Sequence, residues 1–424
     1  MRNKKSLISL FLVIIFLFSS CSNEKVSQKG ITKNETSDEE MVDGSKADKA
    51  NKKIGVAYEV GVTPDDFNMD YDTSRLLSLK DKKSKYYPKD GVKGLYLNSS
   101  SASDSESLDK IVDLIENTRL NSLVVDVKDD FGNITMSFAS DDPDIKYASS
   151  DIINPEDFIK NMHDKGIYVI GRITCFKDSV ITEKHPSWGF SNEDGSLLTN
   201  ANGQAFLNPF LKEVQDYDIK IAKHAAKAGF DEIQFDYVRF ADGFESYGDT
   251  LDYSRGEFEN MKMNEGDKRV AAITGFVQRA REELQDFSVP ISVDLYGNAL
   301  QVERADGIGQ DFYEISNQTD VISSKIYPAK WDLGSFGIEK PDLEPYEIVK
   351  SYLKAEQECL SKIDHKPQSR PWIQDFTASW LGDGYWMEYD KDAIEAQIKA
   401  IYDSGGKEFL IWNENSDYTE GVKY

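Results

Sequence analysis

From about residue 92 onward, short apolar runs alternate with longer stretches of helical spacing. The runs VKGLYLN (92–98), SLVVDVK (122–128), IYVIGRIT (167–174), EIQFDYV (232–238), ISVDLYG (291–297), VISSKIY (321–327), PWIQDF (371–376) and EFLIWN (408–413) read as strands. Helical periodicity fills 107–118, 155–166, 212–229, 267–284, 345–360 and 391–406, with a weaker helix at 311–316. Strands that alternate with helices imply a parallel sheet. Eight such units predict an α/β fold, a closed (β/α)8 TIM barrel with long loops at its C-terminal face. An open doubly wound sheet is the alternative. The barrel is favoured because no Gly-rich dinucleotide fingerprint follows an early strand, and because polar residues recur at the ends of many strands. The chain reaches Tyr424 soon after the eighth strand, so the eighth helix is expected to be incomplete. Residues 54–90 are expected to pack across that gap or to close the bottom of the barrel.

Side chains alternate along a strand. Placing Ile233 and Phe235 against the helices turns Gln234 and Asp236 inward. The same argument turns Asp126 and Lys128 inward on the second strand, and Ser292 and Asp294 on the fifth. The third strand offers Arg172, the sixth Lys325 and Tyr327, and the eighth Trp412. The seventh offers Gln374 or Asp375, its phase being ambiguous. These positions cluster at the C-terminal ends of strands, where barrel enzymes build their sites. Asp236 and Asp294 fall on adjacent strands at similar height, and paired carboxylates flanking one bond are the chemistry of glycoside hydrolysis. The competing reading is that each acid is ion-paired to Arg172, Lys128 or Lys325 and catalyses nothing. Arg239, just past the fourth strand, and Trp331, in the loop 328–345, complete the candidate sugar-binding set. Aromatics in the long loops suit sugar rings or pack the loops onto the barrel.

Charge narrows the partners. A net charge of −25 argues against nucleic acid. Arg2, Lys4 and Lys5 precede the apolar run LISLFLVIIFLF (7–18) and then SSCS, a secretory layout that resembles a bacterial lipoprotein signal with Cys21 as the lipidated residue. Residues 22–53 carry almost no large apolar side chains and read as a disordered tether. These features predict a lipid-anchored protein on the extracytoplasmic face of the cell membrane. Cys175 and Cys359 are too few to make a disulfide framework and are expected to be buried thiols. His163, His185, His224 and His365 lack ligand spacing, so neither metal nor cofactor is expected. The acidic loops DDFGN and SDDPD leave calcium as an open alternative.

The segments VKGLYLNSSSA, LVVDVKDDFGNITM, HPSW with LNPFLKEVQDY, GFDEIQFDYVRF, ISVDLYG with GIGQ, IYP, RPWIQDFT and IWNENSDY occur in that order. Together they resemble a bacterial family of glycoside-hydrolase-type domains, TIM barrels distantly similar to the α-amylase-like glycosidases, over about Gly91 to Tyr418. The resemblance implies cleavage of glycosidic bonds in a polysaccharide or oligosaccharide. By strand position it implies that Asp236 is the nucleophile, Asp294 the acid/base and Asp126 a third acid that orients sugar or modulates pKa. Ala329, Lys330 and Trp331 depart from the Ser-His-Tyr-like run expected after IYP, and Lys325 stands where an apolar residue is expected. Those departures motivate a second reading, a non-catalytic glycan-binding lipoprotein on a degenerate barrel.

Overall fold

The computed structural model of the protein describes residues 78–302, 304–363 and 365–424. The leader with Cys21, the tether 22–53 and residues 54–77 lie outside the described residues. Eight strands form the barrel: β1 (Lys93–Leu97), β2 (Ser122–Lys128), β3 (Tyr168–Thr174), β4 (Glu232–Asp236), β5 (Ile291–Tyr296), β6 (Val321–Lys325), β7 (Trp372–Gln374) and β8 (Phe409–Trp412). Each pairs in parallel with the next, and β1 bonds both to β2, with Gly94 opposite Ser122, and to β8, with Lys93 opposite Phe409. The sheet is therefore closed, which excludes the open doubly wound alternative. The outer helices are α1 (Ser105–Glu116), α2 (Pro155–Asp164), α3 (Lys212–Ala228), α4 (Glu265–Leu284), α5 (Phe312–Gln318), α6 (Pro345–Leu360) and α7 (Lys391–Asp403).

Alternation decides the two layers of the core. Leu123, Val125, Ile233, Phe235, Ile291, Val293 and Leu295 are buried against helix residues such as Ile219, Phe276, Ile348 and Ile401. The lumen is filled by Val92, Tyr96, Val124, Tyr168, Ile170, Trp372 and Leu410. At the N-terminal end of the barrel a buried charge network seals the floor. Arg370 pairs with Glu232 at 2.7 Å and Glu408 at 2.9 Å, and the hydroxyls of Tyr168 and Tyr87 donate to the same two carboxylates. Residues 78–90 run beneath this floor. Lys82 pairs with Asp320 at 2.7 Å, Ser84 donates to Asp231, and Tyr86 stacks on His163.

Among the described residues no eighth helix follows β8. Tyr418, Val422 and Tyr424 of the tail are buried in the outer apolar cluster, and the Tyr418 hydroxyl donates to the Tyr96 carbonyl. One excursion was not expected from the pattern. After β2 the chain makes two short strands, Ile134–Met136 and Ser149–Ile153, the first antiparallel to β2. Asp129 builds the turn between them and β2, because its carboxylate accepts the backbone N–H groups of Phe131, Gly132 and Asn133. Gly132 has φ of 103° there, and a Cβ would meet the Asp178 carboxylate at 2.0 Å. Gly229, at φ 106°, ends α3 in the left-handed conformation and turns the chain into β4. Cys175 and Cys359 are both buried. Among the described residues no helix is long and apolar enough to cross a membrane.

Candidate active site

The C-terminal ends of the strands surround a cavity of about 580 Å³, a size suited to a small ligand or one or two sugar rings. Its centre is built on Arg172 of β3. The guanidinium donates to Asp126 at 2.6 Å, to Asp130 at 2.7 Å and, through Nε and Nη2, to Asp236 Oδ2 at 2.9 and 2.7 Å. The indole of Trp412 lies against it, 5.3 Å from ring centroid to guanidinium carbon. The second Asp236 oxygen, Oδ1, accepts from Lys325 Nζ at 2.5 Å and from the Tyr237 backbone N–H at 2.6 Å. Tyr237 holds a left-handed φ of 52°, a strained state for a residue with a Cβ. Strain of that kind persists where surrounding contacts over-determine it; here the Tyr237 ring lies under Lys177 at 3.7 Å, Lys325 at 5.0 Å and Arg239 at 5.1 Å.

Asp294 sits one strand away. Phe235 pairs with Val293, so Asp236 and Asp294 follow side by side. Asp294 is only 2% exposed. Its Oδ1 accepts from the Trp372 indole Nε1 at 2.9 Å, and its Oδ2 has no partner among the described residues. The two acids therefore titrate apart. Burial works against the charge of Asp236, but Lys325 and then Arg172 outweigh it and bring its pKa down to about 2. Burial, followed by the negative charge of Asp236, pushes Asp294 well above the usual carboxylate range. Lys325 stays a cation: burial disfavours its charge, yet Asp236 and Asp294 raise its pKa. Tyr327 also lines the cavity with a buried hydroxyl that lacks a partner among the described residues. Burial, then Asp294, raises its pKa well above 10.

Of the residues expected at the site, Asp236, Asp294, Arg172, Arg239, Lys325, Tyr327 and Trp412 line the cavity. The others do not reach it. Asp126 lies beneath Arg172 and accepts from the Tyr96 hydroxyl at 2.6 Å; burial lifts its pKa to about 6 despite Arg172. It can act only through the guanidinium. Lys128 was expected to point inward and is turned outward. The β2–β3 register shifts between Asp126 and Lys128, so the bulge sends Lys128 to Asp218 on α3 at 2.6 Å and to Asp178 at 2.9 Å. Gln234 does point into the lumen but is fully buried below the cavity. Trp331 packs against Phe336 and Tyr352 under its loop. On β7 it is Trp372 that faces Asp294. Gln374 instead holds the Ala329 backbone N–H and Asp342, and Asp375 accepts from Thr419 in the tail.

Most of the other lining residues sit on loops, where strand alternation does not reach; Tyr296, the last residue of β5, shares the inward phase of Asp294 and was missed. Asp130, two residues past β2, ties Arg172, Thr174 and Lys177 together. Asn200, Asn202 and Gln204 supply an amide wall from the loop after β3, and Tyr296, Lys330 and Glu414 complete the rim. The doubled acid in DVKDD was a signal that the loop carries charge, but not that it folds over the barrel mouth. Among the described residues no cluster of three or more His, Cys, Asp or Glu is arranged to hold a metal ion. The site offers two carboxylates whose charge is favoured by cations, Asp236 and Asp130, a third, Asp294, whose pKa is raised by burial and by Asp236, and a bank of hydrogen-bonding groups.

Comparison with known proteins agrees with this architecture. A hypothetical protein from Ruminiclostridium thermocellum is 34% identical over 47% of this chain and 96% of its own, with a TM-score of 0.40. The glycoside hydrolase domain of PgaB (BpsB) from Bordetella bronchiseptica covers 77% of this chain and 94% of its own at 14% identity and a TM-score of 0.51. A β-galactosidase from Marinomonas ef1 covers 76% of this chain and 54% of its own at 11% identity and a TM-score of 0.53. The last two share the fold. No curated protein matches the chain. The sequence itself matches one family model over residues 94–418, and the chain belongs to that family, described as "Putative glycosyl hydrolase domain".

Proposed function

We propose that the protein is a glycoside hydrolase that cleaves a polysaccharide or oligosaccharide with Asp294 as general acid/base and Asp236 as nucleophile. The observation that carries the reading is the unequal surroundings of two neighbouring acids: Lys325 and Arg172 bond Asp236 and lower its pKa, whereas Asp294 is buried with an indole N–H on one oxygen and its pKa is raised. Titratable pairs driven apart in this way mark acid and base roles. Neighbouring strands lie about 4.8 Å apart, which fits the roughly 5–5.5 Å carboxyl separation of retaining enzymes.

In the first step the Asp294 proton passes to the glycosidic oxygen as the bond from that oxygen to the anomeric carbon breaks. The Asp236 carboxylate forms the new bond to the anomeric carbon. In the second step the Asp294 carboxylate takes a proton from water, the water oxygen bonds to the anomeric carbon, and Asp236 leaves as a carboxylate. The two cations on Asp236 favour that departure. Tyr327, Asn200, Asn202 and Gln204 line the cavity, which supports a role in bonding sugar hydroxyls.

A specific observation favours a second reading, glycan binding without catalysis: both oxygens of Asp236 are already engaged by cations. Digestion of a glycan library separates the two. The enzyme reading expects new reducing ends, a retained anomeric configuration by NMR, and a loss of about 10²–10⁴-fold in kcat for Asp294→Asn and Asp236→Asn with folding intact. Calorimetric binding with no reducing ends from the wild type selects the second reading. The leader pattern further supports export and tethering through a lipidated Cys21.

A further inference from the structure

Asp294 has two oxygens in unequal surroundings. Oδ1 accepts the indole N–H of Trp372 at 2.9 Å, whereas Oδ2 is buried without a partner among the described residues. An indole nitrogen can only donate. Oδ1 must therefore serve Trp372 as an acceptor, and a proton placed on it would compete with the indole for the same side of the carboxyl. We propose that Trp372 is a positioning residue whose N–H reserves Oδ1 as the acceptor and so keeps the acid proton of Asp294 on Oδ2, the oxygen that no protein group holds among the described residues.

The packing supports a fixed donor. Trp372 is fully buried and stands edge-on to Trp412, with ring centroids 5.7 Å apart and planes at 82°. It is held in β7 between β6 and β8, where it pairs with Lys325 and Leu410. Its ring is one wall of the packed lumen, with Tyr168, Ile170 and Leu410 in the same cluster. The indole does not line the cavity and acts only through Asp294. The charged and titratable groups around Asp294 come from other elements: Asp236 from β4, Lys325 from β6, Tyr327 just beyond it, and Arg172 from β3. Those groups set how tightly the proton is held. Trp372 sets which oxygen holds it.

The proposal rests on the reading of Asp294 as the acid, and its test separates the two. Trp372→Phe keeps an aromatic ring and removes the donor. It is expected to lower kcat about tenfold with KM unchanged to within about twofold, a fraction of the usual worth of a general acid. The high-pH limb of kcat is expected to move to higher pH, because losing a donor to the carboxylate favours the protonated form. A purely structural role for Trp372 would reduce the yield of folded protein and leave that limb in place; an unmoved limb with unchanged kcat overturns the proposal. The wild type supplies a second measurement that needs no glycan and survives a variant that fails to fold. The infrared difference between wild type and Asp294→Asn at neutral pH is expected to contain the C=O band of a protonated carboxyl. The Trp372 indole ¹⁵N–¹H resonance is expected to shift in the same variant. Absence of the band, or an unmoved indole resonance, overturns the proposal. Both signals present in a protein that cleaves nothing would leave the proton lock standing and remove the hydrolase reading.

Discussion

Asp236 and Asp294 differ because of the cations each can reach. Lys325 and Arg172 both bond Asp236, whereas among the described residues Asp294 accepts only an indole N–H. This difference has a signature in stability. The folded pKa of Asp236, about 2, lies below the unfolded value of about 3.9. Its contribution is present above about pH 4 and is lost as pH falls through about 2, a term of about 2–3 kcal/mol. Asp294 runs the other way. Its folded pKa is raised, so its contribution is full below about 3.9 and is lost as pH rises through the folded value. Asp294→Asn never ionises, so its melting temperature is expected to gain on the wild type between pH 4 and 8. Asp236→Asn is expected to fall further behind over the rise from pH 2 to 5. Thermal melts across pH check both, and parallel curves would contradict the assigned protonation states. The inward placement of these two acids was legible from alternation alone, because β4 and β5 keep strict period 2. Their protonation states were not, since they depend on Arg172 and Lys325 arriving from two other strands.

At the scale of elements, β2 shows where alternation stops being informative. Leu123, Val125 and Val127 face the helices as the pattern predicts. The bulge after Asp126 then turns Lys128 to the same side, into a fully buried triad with Asp178 and Asp218. Those carboxylates have raised pKa values from burial, that of Asp218 to about 7, and Lys128 opposes the rise. Removing the cation leaves two buried acids unpaired, so Lys128→Met is expected to destabilise the barrel by about 3–5 kcal/mol. Denaturant unfolding measures the loss; a change under about 1 kcal/mol would mean that the triad is not held as described. Nothing in SLVVDVK distinguishes a bulged strand from a regular one, so Lys128 was read into the wrong layer. On β7 the run is too short to fix its phase, and Trp372 went unnoticed as the partner of Asp294. The mouth loops are harder still. Asn200, Gln204 and Glu414 reach the cavity through turns that no periodicity encodes.

At the scale of the molecule, eight strand runs made the closed barrel legible before any coordinates, since each of the first seven was followed by a helical stretch. The contacts of the brace beneath the floor were not legible, because Lys82, Ser84 and Tyr87 find their partners Asp320, Asp231 and Glu408 more than a hundred residues away, each just ahead of a strand. The proposed lipid tether also belongs to this scale. Labelled palmitate is expected to enter the wild-type protein and to be absent from Cys21→Ala, which should leave the membrane fraction; incorporation into both would locate the lipid elsewhere, and incorporation into neither would remove it. A last consequence follows from the sealed floor of Arg370, Glu232 and Glu408. Among the described residues that network closes the N-terminal end of the barrel, so the cavity opens toward the C-terminal mouth. On the proposed chemistry a released fragment and the incoming water would share that mouth, and a hydroxylated molecule held there would compete with water for the glycosyl group.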